Sequence, residues 1–330
     1  MVIYMIADIS IIIVSWNAKH YLDKCLLSIN DSLMSTDSVE IIVVDNSSSD
    51  GSIDLIKNKY PHVKLICNSS NLGFAKANNI GINVSSGKYL YFINSDVVVS
   101  PDCLGRMLEY MGENPEIGML GPKIIGADGK VQRSCMGYPS LWNIFCRSVF
   151  LDTVFPHIAL FNGFMLNHWA HDSIREVNVI NGCFWLVRRI AVDQVGLLDD
   201  DFFIYGEDID WCKRFNDAGW KVVYFPLVDS LHYGGGSSIN APVDFYIEMQ
   251  KANIKYWGKY SGSLSRLVFF CIIILHQMLR VICNFVYYLS TRTESDINIR
   301  KTKKSIATIA VLLGFSKTIS DRKGSQSHVR

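Results

Sequence analysis

The chain has 330 residues, enough for one large α/β domain with an appendage and too few for a many-domain machine. Lys+Arg 32 against Asp+Glu 31 leaves a net charge of +1, so no overall field selects nucleic acid as a partner. A hydrophobic share of 49% excludes disorder, and this length excludes a small disulfide scaffold.

Met1 to Ala7 has no basic stretch before its apolar residues and no small-residue cleavage site after them, so no signal peptide is expected. The sequon Asn83-Val84-Ser85 then reads as chance. Ile9 to Val14 is a continuous β-branched run, the pattern of a buried parallel strand. Helical spacing follows over Tyr21, Leu22, Cys25, Leu26 and Ile29. Val39 to Val44 predicts a second strand, which ends in Asp45-Asn46-Ser47-Ser48-Ser49-Asp50-Gly51 with Asp50 or Ser52 capping the next helix. Val63 to Cys67 predicts a third strand, followed by Asn71-Leu72-Gly73-Phe74 and a helix through Ile80. Tyr89 to Ile93 predicts a fourth, ending at Asn94-Ser95-Asp96. A helix over Pro101 to Met111 and a strand near Ile117 to Leu120 complete this half. Strands alternating with helices argue a mostly parallel sheet with crossovers, a Rossmann-like half whose ligand lies at the strand C-terminal ends. Those ends carry Asp, Asn and Ser. No G-x-G-x-x-G follows the first strand, and no G-x-x-x-x-G-K-[ST] occurs. A dinucleotide dehydrogenase and a P-loop NTPase are therefore disfavoured.

Between Pro139 and Ala170 the pattern loosens, and Trp142, Phe145, Phe150, Phe155, Phe161, Phe164 and Trp169 crowd a segment of few charges. These read either as core aromatics or as an apolar lip facing a lipid-like substrate. Val177 to Val187 is strand-like around Asn181-Gly182-Cys183. Then come seven carboxylates in eighteen residues: Asp193, Asp199, Asp200, Asp201, Glu207, Asp208 and Asp210. Phe202-Phe203-Ile204-Tyr205 interrupts them. Carboxylates crowded beside apolar surface call for a cation or a proton, although acids in a first helical turn also complement the helix dipole. Val222 to Phe225 predicts a further strand. His232 and the glycines 234 to 236 close the region with a loop suited to close backbone approach to a ligand.

Leu267 to Leu275 is wholly apolar, and the span to Leu289 is long enough to cross a bilayer. His276, Gln277, Arg280 and Asn284 fall within an arc of about 100°. One polar stripe on an apolar helix predicts a helix lying in a membrane interface or packed on the domain, with a single span as the alternative. From Thr291 to Arg330 there are nine basic and three acidic residues, a local +6 that leaves −5 on the first 290. A basic tail beside such a helix suits anionic lipid. The nine cysteines form no CxxC and mostly sit in apolar runs, so buried, reduced thiols in a cytosolic protein are expected.

Several motifs in fixed order resemble glycosyltransferase family 2, from about Ile9 to His232. They are Val44-Asp45-Asn46-Ser47-Ser48-x-Asp50-Gly51, Asn71-Leu72-Gly73-Phe74-Ala75-x-Ala77-Asn78-x-x-Gly81, Asn94-Ser95-Asp96-Val97, Tyr205-Gly206-Glu207-Asp208-x-Asp210 and His232-Tyr233-x-Gly235-x-Ser237. Within the family the chain is most similar to rhamnosyltransferase-like members of bacterial surface-polysaccharide assembly. Two departures stand out: Asn94 replaces the first acid of the metal-binding D-x-D, and Ser95 replaces the proline common in relatives.

The resemblance implies an α/β chain of GT-A fold plus C-terminal amphipathic helices. Its domain would span 1–260, with a nucleotide half at about 1–125 and an acceptor half at about 126–260; residues 261–330 would be the membrane-associating helices and basic tail. It implies a metal-dependent, inverting transfer of a sugar, rhamnose from dTDP as a family-level guess, to a lipid-linked glycan on the cytoplasmic face of the membrane. Asp208 would be the general base, with Glu207 as its partner or an acceptor contact. Asp45, Asn46, Asn71, Gly73, Asn78, Asn94 and Asp96 would bind the donor. Asp96 and His232 would hold Mg²⁺ or Mn²⁺ with the diphosphate. A processive synthase is disfavoured, since Q-x-x-R-W is missing. The competing readings are a non-catalytic nucleotide-sugar binder and a sugar nucleotidyltransferase.

Overall fold

The structure, a computed structural model, describes residues 8–32, 38–234, 242–291 and 296–312. The Met1–Ala7 stretch, Gly235, Gly236 and Ser237 of the closing motif, Arg292 and the tail from residue 313 lie outside the described residues. The chain forms two compact units. One comprises Met1–Tyr138, Trp169–Asp201 and Glu207–Ser237; the other comprises Pro139–His168, Phe202–Gly206 and Ser238–Arg330.

The first unit is built on a sheet. Strand β1 (Ile9–Ser15) leads through α1 (Lys19–Ser32) to β2 (Val39–Asp45), then α2 (Ser52–Lys59), β3 (Lys64–Cys67), α3 (Phe74–Val84) and β4 (Tyr89–Ile93). These four strands are mutually parallel in the order β3-β2-β1-β4. After β5 (Val97–Val99) and α4 (Cys103–Glu113) come β6 (Ile117–Gly126), β7 (Val131–Gln132) and β8 (Cys135–Met136). The short β9 (Arg175–Glu176) and β10 (Val179–Ile180) precede β11 (Phe184–Arg188), α7 (Arg189–Val195), α8 (Glu207–Asp217) and β12 (Lys221–His232). Strand β11 runs antiparallel between β4 and β6, while β12 is parallel to β6 and carries β5 on its outer edge.

Strand β1 is apolar at successive positions because both of its faces are covered. Ile9, Ile11 and Ile13 join the core cluster that contains Leu22, Cys25, Leu26 and Ile29 of α1. Ile12 faces the other way, where α3 packs so closely that a Cβ at Gly81 would lie 2.5 Å from Ile12 Cγ2. On the β4–β11 side, Phe92, Trp185 and Trp211 meet edge to face or tilted at 5.4 to 6.0 Å between ring centroids, an arrangement that adds to their area burial.

Several elements differ in extent from the sequence reading. The α2 helix starts at Ser52 after a left-handed Gly51, and the Asp50 carboxylate takes the Ser52 N–H at 3.0 Å. The Val177–Val187 run is two strands interrupted at Asn181-Gly182-Cys183. Strand β12 continues past Phe225 to His232 through an irregularity between Phe225 and Asp229, where Pro226 has no N–H for the ladder. The β5 strand, only three residues long, was not anticipated.

The second unit is helical: α5 (Leu141–Ser148), α6 (Leu151–Val154), α9 (Pro242–Tyr260), α10 (Ser263–Thr291) and α11 (Asp296–Leu312). Trp142, Phe145 and Phe155 are exposed and Phe150, Phe161 and Phe164 half-buried. The aromatics between Pro139 and Ala170 are therefore only partly at the surface, and Trp169, half-buried, stacks on His171 in the first unit. In α10, Ser263–Tyr288 is long and apolar enough to cross a membrane. Its polar stripe faces into the unit. Gln277 Nε2 donates to Tyr246 Oη at 3.1 Å, Arg280 Nη1 donates to the same oxygen, and Asn284 Nδ2 donates to Thr302 Oγ1 at 3.2 Å. The outward face carries Leu264, Leu267, Met278, Ile282, Phe285 and Val286, all exposed. Of the nine cysteines, all free, six are buried; Cys67, Cys271 and Cys283 are exposed.

Candidate functional site

The C-terminal ends of β1, β2 and β4 gather the polar residues that the sequence singles out. Ser15 and Asp45 are register partners on adjacent parallel strands, and both are fully buried. Asp45 Oδ1 accepts the Ser48 N–H at 2.8 Å. Asp45 Oδ2 and Ser15 Oγ have no protein partner. A buried polar atom left in this state costs about 1–3 kcal/mol, and a ligand that brings a donor to the carboxylate recovers it. Ser15 was not singled out from the sequence; its place at the strand end beside Asp45 was the available signal.

Asn46, Asn71 and Gly73 shape the loop ahead of α3. The Asn46 amide donates to Gly73 O at 3.1 Å and accepts from Asn68 at 2.9 Å and from the Leu72 N–H at 3.4 Å, so it holds the loop together. Asn71 Oδ1 accepts the Gly73 N–H at 2.9 Å. Gly73 adopts φ +90°, a conformation costly for a residue with a Cβ. Asn78 lies buried in α3, with its Nδ2 donating to Phe74 O at 3.0 Å.

Asn94, Ser95 and Asp96 form the turn between β4 and β5. The Asn94 N–H donates to Cys183 O at 3.0 Å and Asn94 O accepts the Val97 N–H at 3.0 Å, which aims the turn at the end of β12. There His232 pairs with Val97, and its Nε2 lies 3.2 Å from Asp96 Oδ1. His232 Nδ1 sits 2.9 Å from Gln132 Oε1. The Gln132 amide is oriented by its other end, because Nε2 donates to His232 O at 3.0 Å. Oε1 is then the acceptor and Nδ1 carries a hydrogen, which leaves Nε2 as the nitrogen facing the Asp96 carboxylate. An imidazole nitrogen and a carboxylate oxygen so close together are both ligand types that a divalent cation takes. Among the described residues no group of three His, Cys, Asp or Glu could hold a metal. The pair therefore suits an ion whose remaining ligands come from outside the chain, as diphosphate oxygens and water would.

The acidic cluster separates into parts with different environments. Asp193, Asp200 and Asp201 are exposed. Asp210 is fully buried and bound by Arg214 at 2.8 Å, whose guanidinium also donates to Val195 O and Leu197 O. Glu207 is buried with Oε2 unpartnered; burial first, then the neighbouring Asp208 charge, push its carboxyl well above the usual range. Burial and the Asp208 charge thus favour the neutral form of Glu207, and a guanidinium compensates Asp210. Asp208 is half-buried at the start of α8, its Oδ1 accepting the Ile209 N–H at 2.8 Å.

Asp96 and Asp208 act on a common neighbour. The fully buried Cys183 thiol is pushed up by burial, by Asp96 and by Asp208. Cys25 is pushed up by burial and Asp96, and Cys212 by burial with a smaller effect of Asp208. Asp96 and His232 are thus in contact and Asp208 stands in the first turn of α8, while Asp45, Asn71 and Asn78 gather around the β1–β2 strand ends and the first turns of α3. A cavity of about 490 Å³ opens beside that region, lined by Asn17, Lys19, His20, Tyr21, Asp50 and Leu55 among others. It includes none of the residues singled out for the donor or for catalysis.

The sequence model of "Glycosyl transferase family 2" matches residues 10–168. The N-acetylglucosaminyl-diphospho-decaprenol L-rhamnosyltransferase of Mycobacterium tuberculosis is 30% identical over 264 residues, covering 76% of this chain and 85% of the relative. A mannosyltransferase from Pyrobaculum calidifontis, solved with GDP-Man and Mn²⁺, superposes with TM-score 0.53 at 15% identity over 97% of this chain and 79% of its own. GalNAc-T7, solved with UDP, GalNAc and Mn²⁺, gives 0.53 at 15% identity over 77% and 50%. The two structural likenesses establish a shared GT-A architecture.

Proposed function

Because the chain belongs to glycosyltransferase family 2 and is an enzyme, we propose that it moves one sugar, with inversion, from a nucleotide-sugar donor to a lipid-linked saccharide acceptor in surface-polysaccharide synthesis. The observation that carries this reading is the Asp96–His232 contact, where the turn after β4 meets the end of β12. The donor is assigned to residues 1–125, the acceptor contacts to 126–260 and membrane attachment to 261–330. The mycobacterial relative, named for rhamnosyl transfer to a lipid diphosphate sugar, supports a rhamnose-like donor and a lipid-linked acceptor.

Asp45 Oδ2 accepts an N–H from the nucleobase, with Ser15 Oγ beside it. Asn71, Gly73 and Asn78 line the nucleotide, and Asn46 holds their loop. Asn94 meets the donor near its diphosphate. When bound, a divalent cation on Asp96 and His232 would neutralise charge on the departing diphosphate. Asp208 takes the proton of the acceptor hydroxyl as its oxygen bonds to the anomeric carbon. The bond from that carbon to the diphosphate oxygen breaks, and the nucleoside diphosphate leaves. Glu207 keeps its proton, so Asp208 carries the negative charge of the pair. The apolar outward face of α10 and the exposed Lys301 and Lys303 of α11 support peripheral attachment to the cytoplasmic leaflet.

The test is a panel of nucleotide sugars with Mg²⁺ or Mn²⁺, first by thermal shift and then with a polyprenyl-diphosphate-linked sugar as acceptor. The expected outcome is release of a nucleoside diphosphate and a product of opposite anomeric configuration. Release of pyrophosphate would identify a nucleotidyltransferase, and donor binding without turnover on any acceptor a non-catalytic binder.

A further inference from the structure

We infer that Gln132 is a positioning residue that fixes the His232 ring for cation binding, an inference that rests on the proposed pairing of Asp96 and His232. Gln132 lies on β7, one hundred residues from His232, and reaches it across β6. Its amide spans the histidine: Nε2 donates to the His232 backbone carbonyl at 3.0 Å, and Oε1 faces Nδ1 at 2.9 Å. One side chain therefore fixes the ring's rotation and, by accepting at Nδ1, leaves Nε2 as the nitrogen aimed at Asp96 Oδ1. Partners of this kind, acting behind a metal-binding histidine, typically change affinity by about 10–100-fold.

The backbone makes room for this contact. Gly126 pairs with His232 in the register of β6 and β12. A Cβ at Gly126 would lie 2.9 Å from Asp128 Oδ1, 3.1 Å from Gln132 Nε2 and 3.3 Å from its Cγ. Glycine at 126 therefore keeps open the path by which Gln132 crosses β6. The tight Asp128-Gly129 turn returns β7 to that place, with the Gly126 N–H donating to Lys130 O at 2.8 Å.

Mn²⁺ titrated alone and with dTDP or UDP, followed by the electron paramagnetic resonance of free Mn²⁺, tests this without reference to turnover. Gln132→Leu is expected to weaken Mn²⁺ binding about 10-fold or more with little change in melting temperature. Gln132→Glu, which keeps an acceptor opposite Nδ1, is expected to stay within about 3-fold of the original chain. Gly126→Ala, which crowds the amide and leaves Gln132 in place, is expected to fall between them. Nitrogen-15 spectra of the metal-free chain should show His232 protonated on Nδ1, with that preference lost in Gln132→Leu. If Gln132→Leu binds within about twofold of the original while Asp96→Asn and His232→Ala lose binding, the role of Gln132 is overturned and the cation pair stands. If Asp96→Asn and His232→Ala bind Mn²⁺ as the original does, the pair itself falls and the inference with it.

Discussion

Strand β1 and helix α10 are both rich in branched aliphatic residues, yet they sort their side chains in opposite senses. Strand β1 buries Ile9, Ile11, Ile12 and Ile13 together with Ser10, whose hydroxyl donates to Glu40, and ends at the buried Ser15. Helix α10 turns Gln277, Arg280 and Asn284 inward to hydrogen-bond partners and leaves Leu267, Ile282 and Phe285 exposed. The hydrophobic effect in water explains the first arrangement. The second suits a helix whose outer medium is itself apolar, where polar groups gain by pairing internally. Burial in the sheet unit reports on folding, whereas exposure on α10 reports on surroundings.

That difference can be broken at four places. The largest effect is expected at the strand-end chemistry: Asp208→Asn should lower turnover about 10³-fold while leaving the melting temperature unchanged, as steady-state kinetics beside calorimetry would show. Two residues on, Asp210→Ala should do the reverse. It strips the buried partner from Arg214 and costs about 3 kcal/mol in urea unfolding, by loosening the turn at Val195 and Leu197. On α10, Ile282→Ser with Phe285→Ser should leave stability within about 0.5 kcal/mol yet weaken binding to anionic vesicles about 10-fold in a flotation assay. If that pair instead unfolds the chain, the exposed face is not facing lipid.

The last effect, that of Glu207→Gln, is on the pH dependence of stability. Burial raises the folded carboxyl, so Glu207 keeps a proton that the unfolded chain releases once pH passes the ordinary carboxyl range. The unfolded state then binds fewer protons, and stability falls as pH rises toward the folded value, by at most about 1.4 kcal/mol per pH unit. Glu207→Gln should flatten this slope between about pH 5 and 8, measured by unfolding at a series of pH values.

The parallel strands were legible because β-branched runs flanked by helical spacing have few other readings. The loops at their ends were legible because Asp, Asn and Ser cluster there. Strand β5 was not, since three valines after Asp96 carry no period. The full length of β12 was hidden by Pro226. The polar stripe of α10 could be read from its spacing, but its inward direction depends on Tyr246 and Thr302, which periodicity does not place. Gln132 carried no signal at all: only the turn at Asp128-Gly129 and the pairing of β6 with β12 bring position 132 to position 232. The acidic cluster looked uniform in sequence and proved to be exposed acids, one structural ion pair and one protonated neighbour of Asp208.

Gly81 has a consequence for the donor side. With no room for even a methyl group against Ile12, α3 rests directly on β1, and Asn79 ties the same helix to Leu198 by paired hydrogen bonds of 2.8 and 3.0 Å. The helix that carries Asn78 is thus clamped before any nucleotide arrives. If the donor binds there as proposed, little ordering entropy is spent on α3.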